Sequence, residues 1–136
     1  MFNIFNKKII KYGKYKIKYK LRKSQLDGLL ELVRKNTEIT NDGNGEIKFT
    51  TNNIKKLLEY LTNNITNINK INNYKYTIDE LLELKDEDLQ KCIKKLMDIL
   101  TNIINEYKNI IINKVDNIGR TLKEINKIEK INAGEL

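Results

Sequence analysis

Residues 87–131, EDLQKCIKKLMDILTNIINEYKNIIINKVDNIGRTLKEINKIEKI, decide the fold. Their apolar members keep a three-four rhythm through Leu89, Ile93, Leu96, Leu100, Ile103 and Tyr107. The rhythm then steps by four through Ile111 and Val115 and resumes at Ile118, Leu122 and Ile125. Such spacing lines one face of an α-helix, and the four-four step is a stutter that shifts the buried stripe around the axis. Unbroken, the segment makes a helix of about 45 residues and about 67 Å. Gly119 is where it would divide, because glycine costs about 1 kcal/mol relative to alanine inside a helix. A helix this long outruns a small domain, so its far half is expected to need a partner, a second copy or its own folded-back end. The seam of Leu96, Leu100, Ile103, Tyr107, Ile111, Val115, Ile118 and Leu122 is the candidate partner-binding surface. Cys92, beside the seam, reads as a small core residue.

Upstream of this helix the start signals are compact. Asp86 is placed to cap it, and Thr77 with Glu80 forms a capping box ahead of Leu81, Leu82 and Leu84, which predicts a short helix. Ser24 as N-cap with Asp27 at N3 precedes Leu26, Leu29, Leu30 and Val33, a helix expected to end near Asn36. After a linker at 37–50, Thr51 or Asn52 caps a helix carrying Ile54, Leu57, Leu58, Leu61 and Ile65. The asparagines at 63, 64, 67, 69, 72 and 73 predict an irregular connection, since their side chains compete for backbone hydrogen bonds.

The N-terminus reads differently. Lys14, Lys16, Lys18 and Lys20 alternate with Tyr15, Ile17, Tyr19 and Leu21, the period of a half-buried strand. Lys8 to Tyr12 can pair with it across Gly13-Lys14, a two-residue turn with glycine at its first central position. Nine lysines and arginines fall in residues 1–23 with no acid among them; taking this +9 from the total of +8 leaves −1 for the rest of the chain. Lys14, Lys16, Lys18, Lys20, Arg22 and Lys23 are therefore the candidate nucleic-acid or anion-binding residues, with Tyr12 or Tyr15 to stack on bases. The same lysine row also serves as protection of a strand edge.

Several chemistries are excluded by composition. The chain of 136 residues has no His and no Pro, with one Cys and one Ser. Ser-His and Cys-His catalytic pairs, histidine or multi-cysteine zinc sites and disulfide frameworks are absent with them. Asp42 to Ile47 reproduces the middle of a calcium loop, but Thr40 and Thr51 stand at the first and twelfth ligand positions, so a tight turn between short strands at Ile39-Thr40 and Ile47-Phe49 is the better reading. The acids Asp79, Glu80, Glu83, Asp86, Glu87 and Asp88 read as helix-start and solvated residues rather than a magnesium site. No apolar run approaches the ~20 residues that span a bilayer, and no signal peptide is evident.

The order of hairpin, strand ending in Tyr19-Lys20-Leu21, Gln25-Leu26…Leu29-Leu30 helix and Thr77-Ile78-Asp79-Glu80-Leu81-Leu82-Glu83-Leu84 resembles the small tail assembly chaperones of long-tailed bacteriophages. The resemblance covers residues 1–105. The chain departs from it in lacking a proline just after the strand, where Leu21-Arg22-Lys23-Ser24 stands, and in its long C-terminal helix. It implies binding of a coiled, helical tape-measure protein until tail tube subunits assemble around it.

The expectation is one domain over 1–136, mainly α with a small N-terminal β-hairpin (α+β) and a helical bundle with a long C-terminal helix. It divides into a basic hairpin (1–23), short helices (24–84) and the long helix (86–131). The expected function is a non-enzymatic helical binding or assembly protein without cofactor or metal, in the cytoplasm, of the host cell if phage-encoded, and not in the membrane. Its partner would be another protein or a second copy along the long helix. The alternative is a module that binds nucleic acid or ribonucleoprotein through the basic hairpin, such as a phage inhibitor of a host defence nuclease.

Overall fold

A computed structural model describes residues 9–18, 21–41, 43 and 45–132, with side chains as far as 114. The element order is β1 (Ile9–Tyr12), β2 (Tyr15–Lys18), α1 (Lys23–Lys35), β3 (Thr37–Asn41), β4 (Ile47–Thr51), α2 (Ile54–Ile65), α3 (Ile68–Ile71), α4 (Ile78–Glu83) and α5 (Glu87–Asn132). The architecture is α+β, a helical body with a small N-terminal hairpin and a long C-terminal helix.

Both sheets are two-stranded antiparallel hairpins. In the first, Tyr12 pairs with Tyr15 and Lys11 with Lys16 across the Gly13-Lys14 turn. Gly13 holds φ +57°, the left-handed value that the first central residue of a type II′ turn requires. A side chain at Gly13 would also land on the Asp88 carboxylate, so the turn sits directly on the start of α5. Alternation works as the pattern predicts: Tyr15 and Ile17 are buried, Lys16 and Lys18 exposed.

The free side of β2 is covered by a segment that carries no strand pattern. Ile17 bridges to Thr66. The Asn67 side chain copies a strand's hydrogen bonding, accepting from Lys16 N at 2.8 Å and donating to Lys14 O at 3.1 Å. An edge that would otherwise present unpaired backbone groups is thereby closed.

Helix boundaries depart from the sequence reading in ways that trace to hydrogen bonds. α1 is capped two residues early, at Arg22 rather than Ser24, because Gln25 Oε1 accepts from Arg22 N at 3.0 Å. α2 is capped by Asn53, not Thr51 or Asn52. Thr51 belongs to β4, where its hydroxyl meets that of Thr37 at 3.0 Å, and Asn53 adopts φ +55°, which asparagine tolerates. The asparagine-rich stretch is more regular than expected, since α2 reaches Ile65 and α3 follows. There Asn64 and Asn72 each donate to the carbonyl four residues back, at 2.8 and 3.0 Å. Residues 24–84 also contain the β3–β4 hairpin alongside the short helices. α4 carries the predicted capping box, with Glu80 N on Thr77 Oγ1 at 3.3 Å and Thr77 N on Glu80 Oε1 at 3.1 Å.

α5 is one helix of 46 residues, about 69 Å. Gly119 does not divide it. Its first five turns supply the wall on which the other elements pack. Leu89, Leu96 and Ile103 lie fully buried against Ile17 of β2, Leu29 and Val33 of α1, and Leu57 and Leu61 of α2. Buried Thr62 donates to Leu58 O at 2.8 Å, and no buried side-chain N or O among the described residues lacks a partner. That satisfaction removes the usual penalty for polar groups in a core.

Candidate functional site

Two surfaces follow from the sequence, and the fold treats them differently. Leu96, Leu100 and Ile103, expected to face a partner, are at most 1% exposed and belong to the chain's own core. This corrects the first half of the predicted seam: the body of the protein is itself the surface that covers it. Tyr107 is half-buried at the rim of the core. Beyond it the stripe continues but the cover thins, with Ile110 41% exposed and Ile111 half-buried. Val115, Ile118 and Leu122 lie on backbone that is helical, but their side chains are outside the described residues.

At about 100° per residue, Ile110 and Ile111 fall on the face that Leu89, Leu96, Ile103 and Tyr107 present to the body. By sequence position Ile118, Leu122 and Ile125 extend that same face. Ile112, 39% exposed, points about 150° away and is off this stripe. The distal segment thus carries an apolar stripe in register with a stripe that is fully used nearer the N-terminus of the helix.

The basic hairpin presents a shorter row than the sequence suggests. Lys16 and Lys18 are exposed on β2, and Lys11, paired opposite Lys16, is exposed on the same face. Lys14 is diverted from this row: it occupies the turn and its Nζ lies 5.4 Å over the Tyr15 ring. Arg22 and Lys23 are exposed at the start of α1, and Lys20 lies outside the described residues. Tyr15 cannot stack on a base, since it is 1% exposed.

The Tyr15 hydroxyl donates to Asp86 Oδ2 at 3.0 Å. Burial, then this hydrogen bond, raises the Tyr15 phenol above its ordinary value. Asp86 caps α5 with its other oxygen, accepting from Leu89 N at 3.1 Å. That backbone bond, then the Tyr15 hydroxyl and the Lys14 charge, hold the Asp86 carboxyl below its ordinary value. The acidic stretch is thus used as helix-start chemistry.

Cys92 is fully buried, and burial pushes its thiol up to about 12. A thiol held protonated in a core is not a nucleophile. The turn of the calcium-like stretch joins β3 to β4 through Gly43 and Gly45, both at positive φ; Asp42 and Asn44 lie outside the described residues. No cluster of metal-ligating side chains occurs among the described residues, and no helix there is long and apolar enough to cross a membrane.

Among the described residues, two clefts in the body stand out. The larger, about 560 Å³, is lined by Asn53 to Lys56, Glu59, Ile78 and Asp79, and its Lys55 is ion-paired to Asp79 at 2.5 Å. The smaller, about 300 Å³, lies between β2, the end of α2 and α3, with Lys18, Asn63, Asn69, Lys70 and Tyr74 among its lining. The sequence does not mark this second cleft, because most of its lining falls in the asparagine-rich stretch, where no apolar or charge pattern singles out a residue. No protein-family model, no curated protein and no solved structure matches the chain.

Proposed function

We propose that the protein is a non-enzymatic docking protein that holds a partner helix along the distal half of α5. One observation carries the reading: the apolar face of α5 is covered by the body as far as Tyr107, and on the same face Ile110 is already 41% exposed. The helix runs on from Ile110 to Asn132, a further 22 residues. A helix of that length in water draws most of its stability from packing of its apolar face, so cover from a second helix is the physical complement of Ile111, Val115, Ile118 and Leu122. Transient cover of a coiled partner, the role implied by the likeness to tail assembly chaperones, is the form of docking proposed.

The occupant that the chain alone can test is a second copy. Solution mass by light scattering is expected to report a dimer that Ile111→Asp with Ile118→Asp returns to monomer without loss of helicity. A monomer whose distal α5 amides are as protected from hydrogen exchange as those of Leu96 and Ile103 would overturn the docking reading, because the helix would then need no cover.

A second reading is favoured by the exposed Lys11, Lys16 and Lys18 on one hairpin face, away from any acid of that hairpin. Such a row attracts a phosphate backbone. Retention of nucleic acid that falls steeply with salt, and that Lys16→Glu weakens, is the expected result.

A further inference from the structure

We infer that the cleft between β2, the end of α2 and α3 is a binding site for single-stranded nucleic acid, in which a base stacks on Tyr74 and Lys18 and Lys70 hold the flanking phosphate. The inference rests on the second reading above and goes beyond it, from a charged row to a built site at the end of that row.

Tyr74 is the first observation. It is 76% exposed, the most exposed of the large hydrophobic side chains described. It also adopts φ +57°, directly after Asn73 at φ +54°. Bulky L-residues avoid this left-handed region, and strain of this kind collects at functional positions. The turn is held by Tyr74 N donating to Asn69 O at 2.8 Å and Asn73 N to Lys70 O at 3.2 Å. The backbone therefore fixes where Tyr74 leaves the chain, at the rim of the cleft, and its ring stands largely open to solvent. An open aromatic face is what base stacking uses, and it is tolerant of base identity.

The lining is the second observation. No carboxylate lines the cleft, whereas Lys18 and Lys70 both do, and neither ion-pairs among the described residues. Asn69 donates its amide to Asn63 Oδ1. That pairing leaves the Asn63 amide hydrogens and Asn69 Oδ1 as an adjacent donor and acceptor, a pattern that fits the edge of a base. The volume, about 300 Å³, is at the small end of ligand sites and suits one nucleotide unit. Among the described residues Lys18 is also the last lysine of the row that holds Lys16, so a strand following the row would enter the cleft at its phosphate side.

The test is fluorescence anisotropy of full-length protein with labelled single strands of about ten nucleotides at low salt, with adenosine 5′-monophosphate as competitor. Single strands are expected to bind, Tyr74→Ala to weaken binding about tenfold, and Tyr74→Phe to retain it. Lys70→Glu is expected to weaken binding more than Lys48→Glu, which changes the net charge equally on the exposed face of β4. Displacement by the mononucleotide would identify the ligand as a nucleotide in its own right, and its failure to compete would identify the strand. Binding that Tyr74→Ala leaves unchanged, or that Lys48→Glu weakens as much as Lys70→Glu, would overturn the site. If Lys16→Glu alone matters, the lysine row stands and the cleft falls; if no strand is retained, both fall.

Discussion

The Tyr15 hydroxyl donates to Asp86 Oδ2 across 3.0 Å and 71 positions of sequence. The same carboxylate caps α5 through Leu89 N, so one side chain both starts the long helix and fastens the basic hairpin to it. Gly13 in the hairpin turn lies against Asp88 in the first turn of that helix. The orientation of the hairpin relative to α5 is therefore fixed at two adjacent points.

This junction has a pH signature. Asp86 is held below its ordinary value of 3.8, so its contribution to stability is present above that value and is lost as pH falls through the depressed one. Tyr15 is raised above 10.0, so its contribution is present below 10.0 and is lost as pH rises through the raised value. Asp86→Asn is expected to flatten the acid limb of a stability–pH profile. Tyr15→Phe should cost about 1 kcal/mol at neutral pH and flatten the alkaline limb. The two substitutions share one hydrogen bond, so their combined cost by denaturant unfolding should fall short of the sum.

The two halves of the α5 stripe should respond unequally to truncation. Leu100→Ala removes a side chain that is 1% exposed and is expected to cost about 2–5 kcal/mol, enough to threaten a small domain. Ile110→Ala, at a position of the same stripe that is 41% exposed, should fall within about 0.5 kcal/mol. Urea unfolding of the two variants measures the contrast. Equal costs would mean that the distal helix is packed as tightly as the proximal part.

The long helix, the hairpin with its alternating faces, and the Thr77 and Asp86 caps were legible in the sequence because each rests on interactions within a few residues. Leu96, Leu100 and Ile103 were legible as a seam, but periodicity alone does not say what covers it. Their cover comes from β2, α1 and α2, which are distant in sequence. Asn67 was illegible for the same reason: its side chain substitutes for a strand whose partner lies about fifty residues earlier. Tyr74 became visible only through its left-handed backbone and exposure, neither of which residue identity encodes. The early start of α1 turns on a glutamine acting at N3, where Ser24 offered the more familiar signal.

Gly28, inside α1, illustrates how a local preference yields to a long-range contact. Alanine would ordinarily stabilise a helix interior by about 1 kcal/mol over glycine. A Cβ at position 28, however, would lie 2.5 Å from the Tyr60 hydroxyl, which donates to Gln25 O at 2.8 Å. Burial raises that phenol above its ordinary value, and its hydrogen bond fixes the separation of α1 and α2. Gly28→Ala is therefore expected to destabilise the protein by about 1–2 kcal/mol, overpacking outweighing helix propensity. Tyr60→Phe removes the oxygen that the new methyl group would meet. In that background Gly28→Ala should become neutral or stabilising, and thermal unfolding of the four variants would show the reversal as a coupling of more than about 1 kcal/mol. If Gly28→Ala raises the melting temperature with Tyr60 intact, the close approach of the two helices at this point is wrong.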